Sequence, residues 1–349
     1  MAFNTKFTEL FKCIGIKYPI VSAPMAFVTG AELATKVTLG GGFGFIPADI
    51  KTAEELNRDL KSAINLFNSS PEILPIGVGF MNFILDKEKK KDGLSTLETA
   101  LSHKPAAVWF SFGDFQEYLP IVREMSPKTK IFSQIQTVEM AIVSAKLGVD
   151  VIVAQGNESG GHGLINNAST LTLVPETIDA LNDSGNGHIP VLAAGGIMDG
   201  RGLASALMLG ASGVVMGTRF AASKESLFKP QAKEMLVKSC DGGVSTIRTN
   251  VFDKLRQPNV WPEHFDGRAL RNKTLEDNID LDDEEKMAEK RKIYGEAMKN
   301  ADYSRAVIYA GAGVGLIKEI LFVKEIIKST IEGAKVTIEK NKTLCETKT

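Results

Sequence analysis

The most constraining feature of this sequence is an alternation, from Ile20 to Thr218, between short β-rich apolar runs and longer segments of helical period. Such alternation is typical of repeated βα units, whose strands form a parallel sheet that is buried on both faces. Eight runs meet this description: residues 20–23, 43–46, 73–78, 106–112, 130–135, 151–154, 191–194 and 213–216. Because eight βα units close on themselves, we predict an α/β protein with a (β/α)8 barrel, the TIM barrel.

Helical segments separate these runs, for example residues 52–67, 137–147 and 200–209. After residue 220 the pattern changes to a polar, loop-rich segment, 239–273, and then to a run of mixed charge, 275–292. An apolar stripe of helical spacing, 316–331, is expected to pack on the barrel wall. We therefore predict a barrel built from residues 1–223 and 305–349, with a C-terminal addition of loops and helices at 224–304. The charged run indicates a solvated helical face, with a lid or a dimer contact as the alternative.

Composition excludes several classes of function. The net charge of −1 provides no long-range field for nucleic acid or for an anionic membrane surface, so neither is expected as a partner. The three cysteines, Cys13, Cys240 and Cys345, lack metal-ligand spacing, which predicts neither a disulfide framework nor a metal site. With no signal-like or membrane-spanning apolar run, a cytoplasmic location is expected. The oligomeric state stays open, with a homodimer as one arrangement.

Two glycine-containing segments follow the last two predicted strands. Gly195-Gly196 comes after the seventh strand, and Gly217-Thr218 comes after the eighth. In (β/α)8 barrels the backbone N–H groups at these two places commonly bind a phosphate. Glycine lets the backbone approach an anion closely, and Thr218 adds a hydroxyl donor. The alternative for either pair taken alone is an ordinary turn.

The segment after the sixth strand is the most distinctive part of the chain: Gln155-Gly156-Asn157-Glu158-Ser159-Gly160-Gly161-His162-Gly163. It places one imidazole among glycines on the end of the barrel that carries active sites. An unperturbed histidine pKa near 6.5 suits proton transfer at neutral pH. Since its neighbours in sequence provide no apolar packing, we predict that His162 is catalytic. The other histidines, His103, His188 and His264, are expected to be structural.

The sequence lacks the motifs that several other kinds of active site require. The glycines at 40–42 precede a strand, so they predict a turn rather than a dinucleotide site. The sequence has no phosphate-loop lysine motif, no histidine pair with metal spacing and no Gly-x-Ser-x-Gly elbow. Nucleotide hydrolysis, zinc chemistry and serine hydrolysis are therefore not predicted.

Four motifs in order give this chain a resemblance to the nitronate monooxygenases, formerly called 2-nitropropane dioxygenases. The motifs are Pro19-Ile20-Val21-Ser22-Ala23-Pro24-Met25, residues 154–162 around Gln155 and His162, Ala193-Ala194-Gly195-Gly196-Ile197, and Met216-Gly217-Thr218-Arg219-Phe220. Residues 261–262, 266–269 and 311–315 also look like stretches of that family. The family shares its fold and cofactor site with the flavin-dependent enoyl-ACP reductases.

The resemblance implies an FMN site and assigns residues to it. His162 falls on the position of the family's catalytic histidine. The residues expected to bind or surround the cofactor are Ala23, Pro24, Met25, Gly79, Gln134, Gln155, Gly160, Gly161, Gly195, Gly196, Met216, Gly217 and Thr218. Within this set the first three would line the flavin ring, and the glycine pairs with Thr218 would hold its phosphate. Gly79 stands where many bacterial members have asparagine, so a side-chain amide contact is not expected there.

The implied reaction is oxidation of an alkyl nitronate by FMN and O2, which gives a carbonyl compound and nitrite. His162 would remove the α-proton when the substrate is a neutral nitroalkane. The closest competing function is an FMN-dependent reductase of enoyl thioesters that uses NAD(P)H, since the same barrel and glycine motifs serve both activities. A barrel that only binds ligands and a flavin-free aldolase or isomerase are less favoured. An aldolase of this kind needs a Schiff-base lysine, and no candidate lysine follows a predicted strand of this chain.

Overall fold

Eight parallel strands form the body of the protein. The computed structural model describes residues 3–68, 71–92, 94–277 and 284–342. The strands in these ranges are β1 (Ile20–Ser22), β2 (Phe45–Pro47), β3 (Leu74–Met81), β4 (Pro105–Ser111), β5 (Lys130–Ile135), β6 (Val151–Gln155), β7 (Gly161–Leu164), β8 (Val191–Ala194), β9 (Gly213–Met216), β10 (Thr246–Thr249) and β11 (Phe265–Leu270).

The large sheet runs in the order β1–β9–β8–β6–β5–β4–β3–β2, and all its neighbouring strands are parallel. A parallel bridge between Val21 and Phe43 joins its two edges. The predicted α/β barrel of eight strands is therefore confirmed, with strand positions close to those predicted from the sequence.

Helices alternate with the barrel strands and continue after them. They are α1 (Lys6–Leu10), α2 (Ala31–Leu39), α3 (Ala53–Leu66), α4 (Asn82–Asp92), α5 (Ser95–Ser102), α6 (Leu119–Met125), α7 (Val138–Lys146), α8 (Thr170–Asp183), α9 (Gly200–Met208), α10 (Thr218–Ala221), α11 (Pro230–Lys238), α12 (Gly242–Ser245), α13 (Val251–Leu255), α14 (Lys273–Asp277), α15 (Glu284–Lys299) and α16 (Val323–Lys342). Short 3-10 turns occur at Lys12–Ile14, Gln116–Tyr118 and Val314–Leu316. No helix in the described ranges is both long enough and apolar enough to span a membrane.

Local sequence explains where several of these helices begin. Thr52 caps α3 through a capping box with Glu55, and the Thr137 hydroxyl accepts a hydrogen bond from Met140 N in α7. The carboxylate of Asp199 accepts from Arg201 N at the start of α9. Each cap pairs a backbone donor that the first helical turn leaves without a partner. The three helices predicted as examples are confirmed.

The barrel interior is filled by aromatic and branched side chains. Phe43, Phe45, Trp109 and Phe132 are almost completely buried there, and their rings contact one another. Rings from α1 join this cluster, since Phe7 lies 6.3 Å from Phe132 between ring centroids. Because the cluster also holds residues from the starts of the strands, α1 closes the amino-terminal end of the barrel. A ligand site is therefore expected at the opposite, carboxyl-terminal end of the barrel.

A second sheet lies outside the barrel and was not predicted. The antiparallel strands β10, β11 and β7 form it, with His162 opposite Gly267. Residues 161–164 around His162 therefore form a strand, and the segment at 239–273, predicted to be loop-rich, contains two strands and two short helices between its loops. The glycines of β7 gave no sign of a strand, which exists through its pairing with β11 about a hundred residues later in the chain.

The C-terminal part differs from its prediction in one boundary. The apolar stripe at 316–331 is helical only from Val323, whose backbone N–H donates to the carboxylate of Glu225. The helix α16 packs on α9, where a Cβ at Gly200 would lie 2.2 Å from Ala334 N. The helix α15, which begins in the charged run, buries Met287, Tyr294 and Ala297, and its other residues from 288 to 299 are exposed or partly exposed. Residues 278–283 of that run, and residues 343–349 with Cys345, lie outside the described ranges.

Candidate active site

The two predicted phosphate-binding turns lie side by side at the carboxyl ends of β8 and β9. Gly195 and Gly196 have φ angles of +117° and +71°, which only glycine adopts easily. Within the described part of the chain, the backbone N–H groups of Gly195, Gly196 and Gly217 donate to no other residue. Unpaired backbone donors close together are the arrangement that binds an anion.

A loop before α16 completes this corner of the site. Gly311 N donates to the Thr218 hydroxyl at 3.0 Å, and Ala312 N donates to Glu158 O at 2.8 Å. A Cβ at Gly160 would lie 2.5 Å from Gly311 N, so the two backbones are in close contact. Because the Thr218 oxygen accepts from Gly311, its hydrogen remains available to donate. Gly311 was not predicted to be part of the site, although its glycine-rich stretch resembles one found in the family.

The loop after β1 lies against the ends of β3 and β9. Ala23 N donates to Met216 O at 3.2 Å, and a Cβ at Gly217 would lie 3.4 Å from the Met25 sulfur. On the other side, a Cβ at Gly79 would lie 2.5 Å from Cβ and Cγ of Pro24. A side chain at position 79 would therefore collide with the proline, which gives a steric reason for glycine here.

Three glutamines connect the ends of β5 and β6 to the strand that holds the histidine. The Gln155 Oε1 accepts from Gln134 Nε2 at 2.8 Å and from Gln136 Nε2 at 2.9 Å. Gln155 Nε2 in turn donates to His162 O at 3.2 Å, and Gln136 Oε1 accepts from Leu164 N at 3.0 Å. The network orients every amide, so it fixes β7 relative to the barrel. Gln136 was not predicted to belong to the site.

The imidazole of His162 is buried in a pocket of its own. Its Nε2 lies 2.9 and 3.0 Å from the two carboxylate oxygens of Asp253, a residue of α13. Trp261 stacks on the ring with 3.6 Å between centroids and 7° between planes. The ring of Tyr309 lies 5.0 Å away, and its hydroxyl is 3.5 Å from Asp253 Oδ1. His162 therefore has aromatic packing that its sequence neighbours do not provide, because it comes from residues distant in sequence.

Burial lowers the pKa of His162 below its ordinary value, although the hydrogen bond to Asp253 acts in the opposite direction. Desolvation disfavours the imidazolium more than it disfavours the neutral ring. Burial also raises the pKa of Tyr309 well above its usual value, so its hydroxyl stays protonated. A neutral imidazole at pH 7 is the form that accepts a proton.

The structure brings all the predicted site residues to one end of the barrel. The contacts described above join Pro24 to Gly79, Met25 to Gly217, Gly160 to Thr218 through Gly311, and Gln134 to His162 through Gln155. Gly161 lies in β7 opposite Arg268. Besides Gln136 and Gly311, sequence reasoning missed three residues that surround His162. Asp253 and Tyr309 lie in no local motif, and the stretch around Trp261 resembles the family but does not predict a contact with His162.

Similarity to known proteins agrees with this arrangement. A family model described as nitronate monooxygenase matches residues 8–333. The chain is 36% identical to the nitronate monooxygenase npaC of Metarhizium robertsii over 339 residues, which cover 91% of each chain. It is 34% identical to the nitronate monooxygenase of Neurospora crassa over 345 residues, covering 92% of this chain and 90% of the relative.

Two solved structures have the same fold over almost their whole length. FabK from Thermotoga maritima superposes with a TM-score of 0.81 at 29% identity, covering 98% of this chain and 99% of its own. Nitroalkane oxidase from Streptomyces ansochromogenes superposes with a TM-score of 0.75 at 25% identity, covering 96% and 99%. The family match spans the barrel strands, the added sheet and the first half of α16. The chain therefore belongs to the nitronate monooxygenase family, a family of enzymes.

Proposed function

We propose that this enzyme binds FMN at the carboxyl end of its barrel and uses O2 to oxidise alkyl nitronates to a carbonyl compound and nitrite. The observation that carries the proposal is the convergence of three features at that end. These are the unpaired backbone donors of Gly195, Gly196 and Gly217, the glycine-lined contact between Pro24 and Gly79, and the buried neutral imidazole of His162.

The residues present fit the phosphate of FMN. A phosphate dianion accepts hydrogen bonds, so it needs donors that have no other acceptor. The site has four such donors: the backbone N–H groups of Gly195, Gly196 and Gly217, and the hydroxyl hydrogen of Thr218. No lysine or arginine is needed for this mode of binding, since the backbone provides the positive ends of the dipoles. We assign the phosphate to these four residues.

The remaining predicted residues fit the ring end of the cofactor. Ala23, Pro24 and Met25 are close to Gly79 and Gly217, and Gln155 lies at the end of β6, at the same end of the barrel. We assign residues 23–25, Gly79 and Gln155 to the isoalloxazine, with Gln134, Gly160, Gly161 and Met216 completing its surroundings. When bound, the flavin supplies the redox chemistry, while the chain supplies binding, orientation and charge.

His162 is proposed to handle the proton of the substrate. A nitronate already lacks its α-proton, so it needs no base and the histidine serves only to orient it. A neutral nitroalkane must first lose that proton, and His162 is uncharged at pH 7 and so able to take it. O2 is proposed as the second substrate, because oxidation of the nitronate needs an electron acceptor and the reaction of the nitronate monooxygenases uses O2.

The test replaces His162 and supplies both forms of substrate. We expect His162→Asn to retain bound FMN and to lose roughly 10² to 10⁴ in kcat/KM for a neutral nitroalkane, because a general base contributes about that factor. Nitrite release and O2 consumption measure turnover, and the visible absorbance of the purified protein measures bound flavin. Unchanged nitroalkane turnover in this variant would refute the proposed role.

A second candidate function is supported by one similarity, that to FabK of Thermotoga maritima. It is an FMN-dependent reduction of enoyl thioesters by NAD(P)H. Mixing the holoenzyme with NADH or NADPH in the absence of oxygen separates the two. Rapid loss of the visible flavin absorbance supports the reductase, and an unchanged spectrum supports the nitronate monooxygenase.

We also propose that residues 224–304 act as a lid. This segment carries Asp253 and Trp261, which contact His162, and β11, which pairs with β7. Trp261 extends over the barrel to contact Phe83 and Phe112, which follow β3 and β4. A segment that covers the site in this way excludes water from it. Limited proteolysis with and without FMN tests the proposal, since a lid is expected to be cut more slowly when the cofactor is present.

A further inference from the structure

The contact between His162 and Asp253 restricts which nitrogen of the imidazole carries a proton. Nε2 lies within hydrogen-bond distance of both carboxylate oxygens, at 2.9 and 3.0 Å. An ionised carboxylate only accepts hydrogen bonds, so the nitrogen that faces it must be the donor. In the described part of the chain, Nδ1 has no hydrogen-bond partner. The neutral ring is therefore held with its hydrogen on Nε2 and its lone pair on Nδ1.

We infer that Asp253 is a positioning residue for His162, which keeps the proton of the neutral imidazole on Nε2 and makes Nδ1 the base for the substrate's α-proton. This inference rests on the proposed function, because it names the atom that performs the proton transfer proposed there. A residue in α13 of the added segment would then control a histidine that follows the sixth barrel strand.

Packing fixes the ring in the same orientation. Trp261 covers one face of the imidazole at 3.6 Å, and the ring of Tyr309 lies 5.0 Å away at 55°. A Cβ at Gly267, which pairs with His162, would lie 2.7 Å from the Tyr309 ring and 3.5 Å from Nε2. A glycine at position 267 thus leaves room for the ring of Tyr309 beside the imidazole of His162. Tilting the ring out of its plane would break the stack with Trp261, and a 180° flip within that plane would take Nε2 away from Asp253 and break both hydrogen bonds.

The charges of the proposed step balance. The C–H bond of the nitroalkane breaks, its electron pair moves onto the nitro group to form the nitronate anion, and the proton forms a bond to Nδ1. The imidazolium that results is buried, and the carboxylate of Asp253 offsets its charge. The other charged or titratable groups that act on the ring are Asp266, which favours the imidazolium, Arg256, which opposes it, and the hydroxyl of Tyr309.

A purely structural role for Asp253 makes a different prediction. Removal of a structural contact would weaken every activity of the site alike, since nitronate and nitroalkane share the pocket. Removal of a positioning contact would affect the substrate that needs the base far more. Asp253→Asn keeps the size of the side chain and allows its amide to donate to Nε2, which would move the imidazole proton to Nδ1. An Asp to Asn change of this kind is known to produce the wrong tautomer in a catalytic triad.

Asp266→Asn is the matched control. Asp266 is a carboxylate of low exposure that pairs with Arg248, and it lies next to Gly267 in β11. Successive residues of a strand point to opposite faces, and Gly267 is the one opposite His162, so Asp266 points away from the histidine's face. This variant therefore removes a carboxylate of the same sheet without removing the contact to the imidazole.

The first measurement needs no variant of Asp253. The chain has only four histidines, so 15N labelling of histidine in the FMN-loaded protein gives few signals, and His162→Asn identifies the one of interest. We expect that signal to show a protonated Nε2 and an unprotonated Nδ1 at neutral pH, and Asp266→Asn to leave it so. An unprotonated Nε2, or rapid exchange between tautomers, would overturn the inference.

The second measurement compares kcat/KM for a nitroalkane and for its nitronate. We expect Asp253→Asn to lose about 10² or more with the nitroalkane and less than about tenfold with the nitronate. The acid limb of its nitroalkane pH profile should also move to lower pH, because the carboxylate favours the imidazolium. Equal losses on both substrates, or no loss, would overturn the inference while leaving the His162 role intact. If His162→Asn itself loses nothing with the nitroalkane, the proposed role of His162 as the base fails first.

Discussion

Trp261 lies flat on the imidazole of His162, with 3.6 Å between ring centroids and 7° between ring planes. The indole is held from its other sides by the rings of Phe83 and Phe112, at 5.0 and 5.1 Å. Because the stack keeps water from one face of the imidazole, it contributes to the burial that lowers the pKa of His162. One aromatic residue of the added segment thus affects the charge of the proposed base.

Replacement of this indole should therefore shift the pH dependence. In Trp261→Ala the imidazole gains water, and we expect the pKa of His162 to rise towards its ordinary value. Since the base acts unprotonated, the acid limb of kcat/KM for a nitroalkane should move to higher pH. The control Trp261→Phe keeps an apolar ring in place and should shift the limb less. A shift to lower pH in Trp261→Ala would contradict the assigned cause.

Gly79 provides a test of the site's shape. A Cβ at this position would lie 2.5 Å from two carbons of Pro24, so Gly79→Ala must displace the loop after β1. We expect FMN affinity to fall by about tenfold or more and the free energy of unfolding to fall by about 1–3 kcal/mol, as overpacking usually costs. Flavin titration and urea unfolding measure the two effects.

Gly295→Ala is the control for that change. A Cβ at Gly295 in α15 meets no other atom within 4 Å, and alanine favours a helix. FMN affinity should stay at the level of the unaltered protein. If Gly79→Ala behaves like this control, the contact with Pro24 does not shape the site.

Asp49 predicts a pH dependence of stability. It follows β2, accepts a hydrogen bond from Met81 N at 2.5 Å, and is buried, which raises its pKa to about 7. The folded state then holds a proton that the unfolded chain releases near pH 4, so this group lowers stability as pH rises from about 4 to 7. Asp49→Asn cannot ionise, and we expect it to be more stable than the unaltered protein at pH 8, by at most about 4 kcal/mol.

Urea unfolding of both proteins at pH 5 and pH 8 checks this. The advantage of Asp49→Asn should be larger at pH 8 than at pH 5. An equal difference at the two pH values would show that the carboxyl of Asp49 does not titrate in this range in the folded protein.

The barrel was predictable because each of its strands is a short continuous apolar run, as burial on both faces requires. The second sheet was not predictable from the sequence. Its strand β7 contains Gly161 and Gly163, which have low strand propensity, and it forms only through pairing with β11. The start of α16 at Val323 likewise depends on the carboxylate of Glu225, 98 residues earlier in the chain.

The same contrast applies to the site. His162 and the glycines at 195, 196 and 217 could be found because their type and their position after strands point to proton transfer and to phosphate binding. Asp253 could not be found in this way. It lies 91 residues after His162, and the fold of the added segment places it beside the imidazole, which no sequence spacing predicts. Local motifs reveal donors and bases, whereas their partners depend on tertiary packing.

The central claim is that this chain holds a flavin which a nitronate reduces. The most direct measurement is the visible absorbance spectrum of the purified, FMN-reconstituted protein, recorded before and after a nitronate is added without oxygen. We predict a flavin spectrum that bleaches on addition of the nitronate and returns when O2 is admitted, with nitrite released. A protein that retains no flavin, or a flavin spectrum that the nitronate leaves unchanged, would contradict the account.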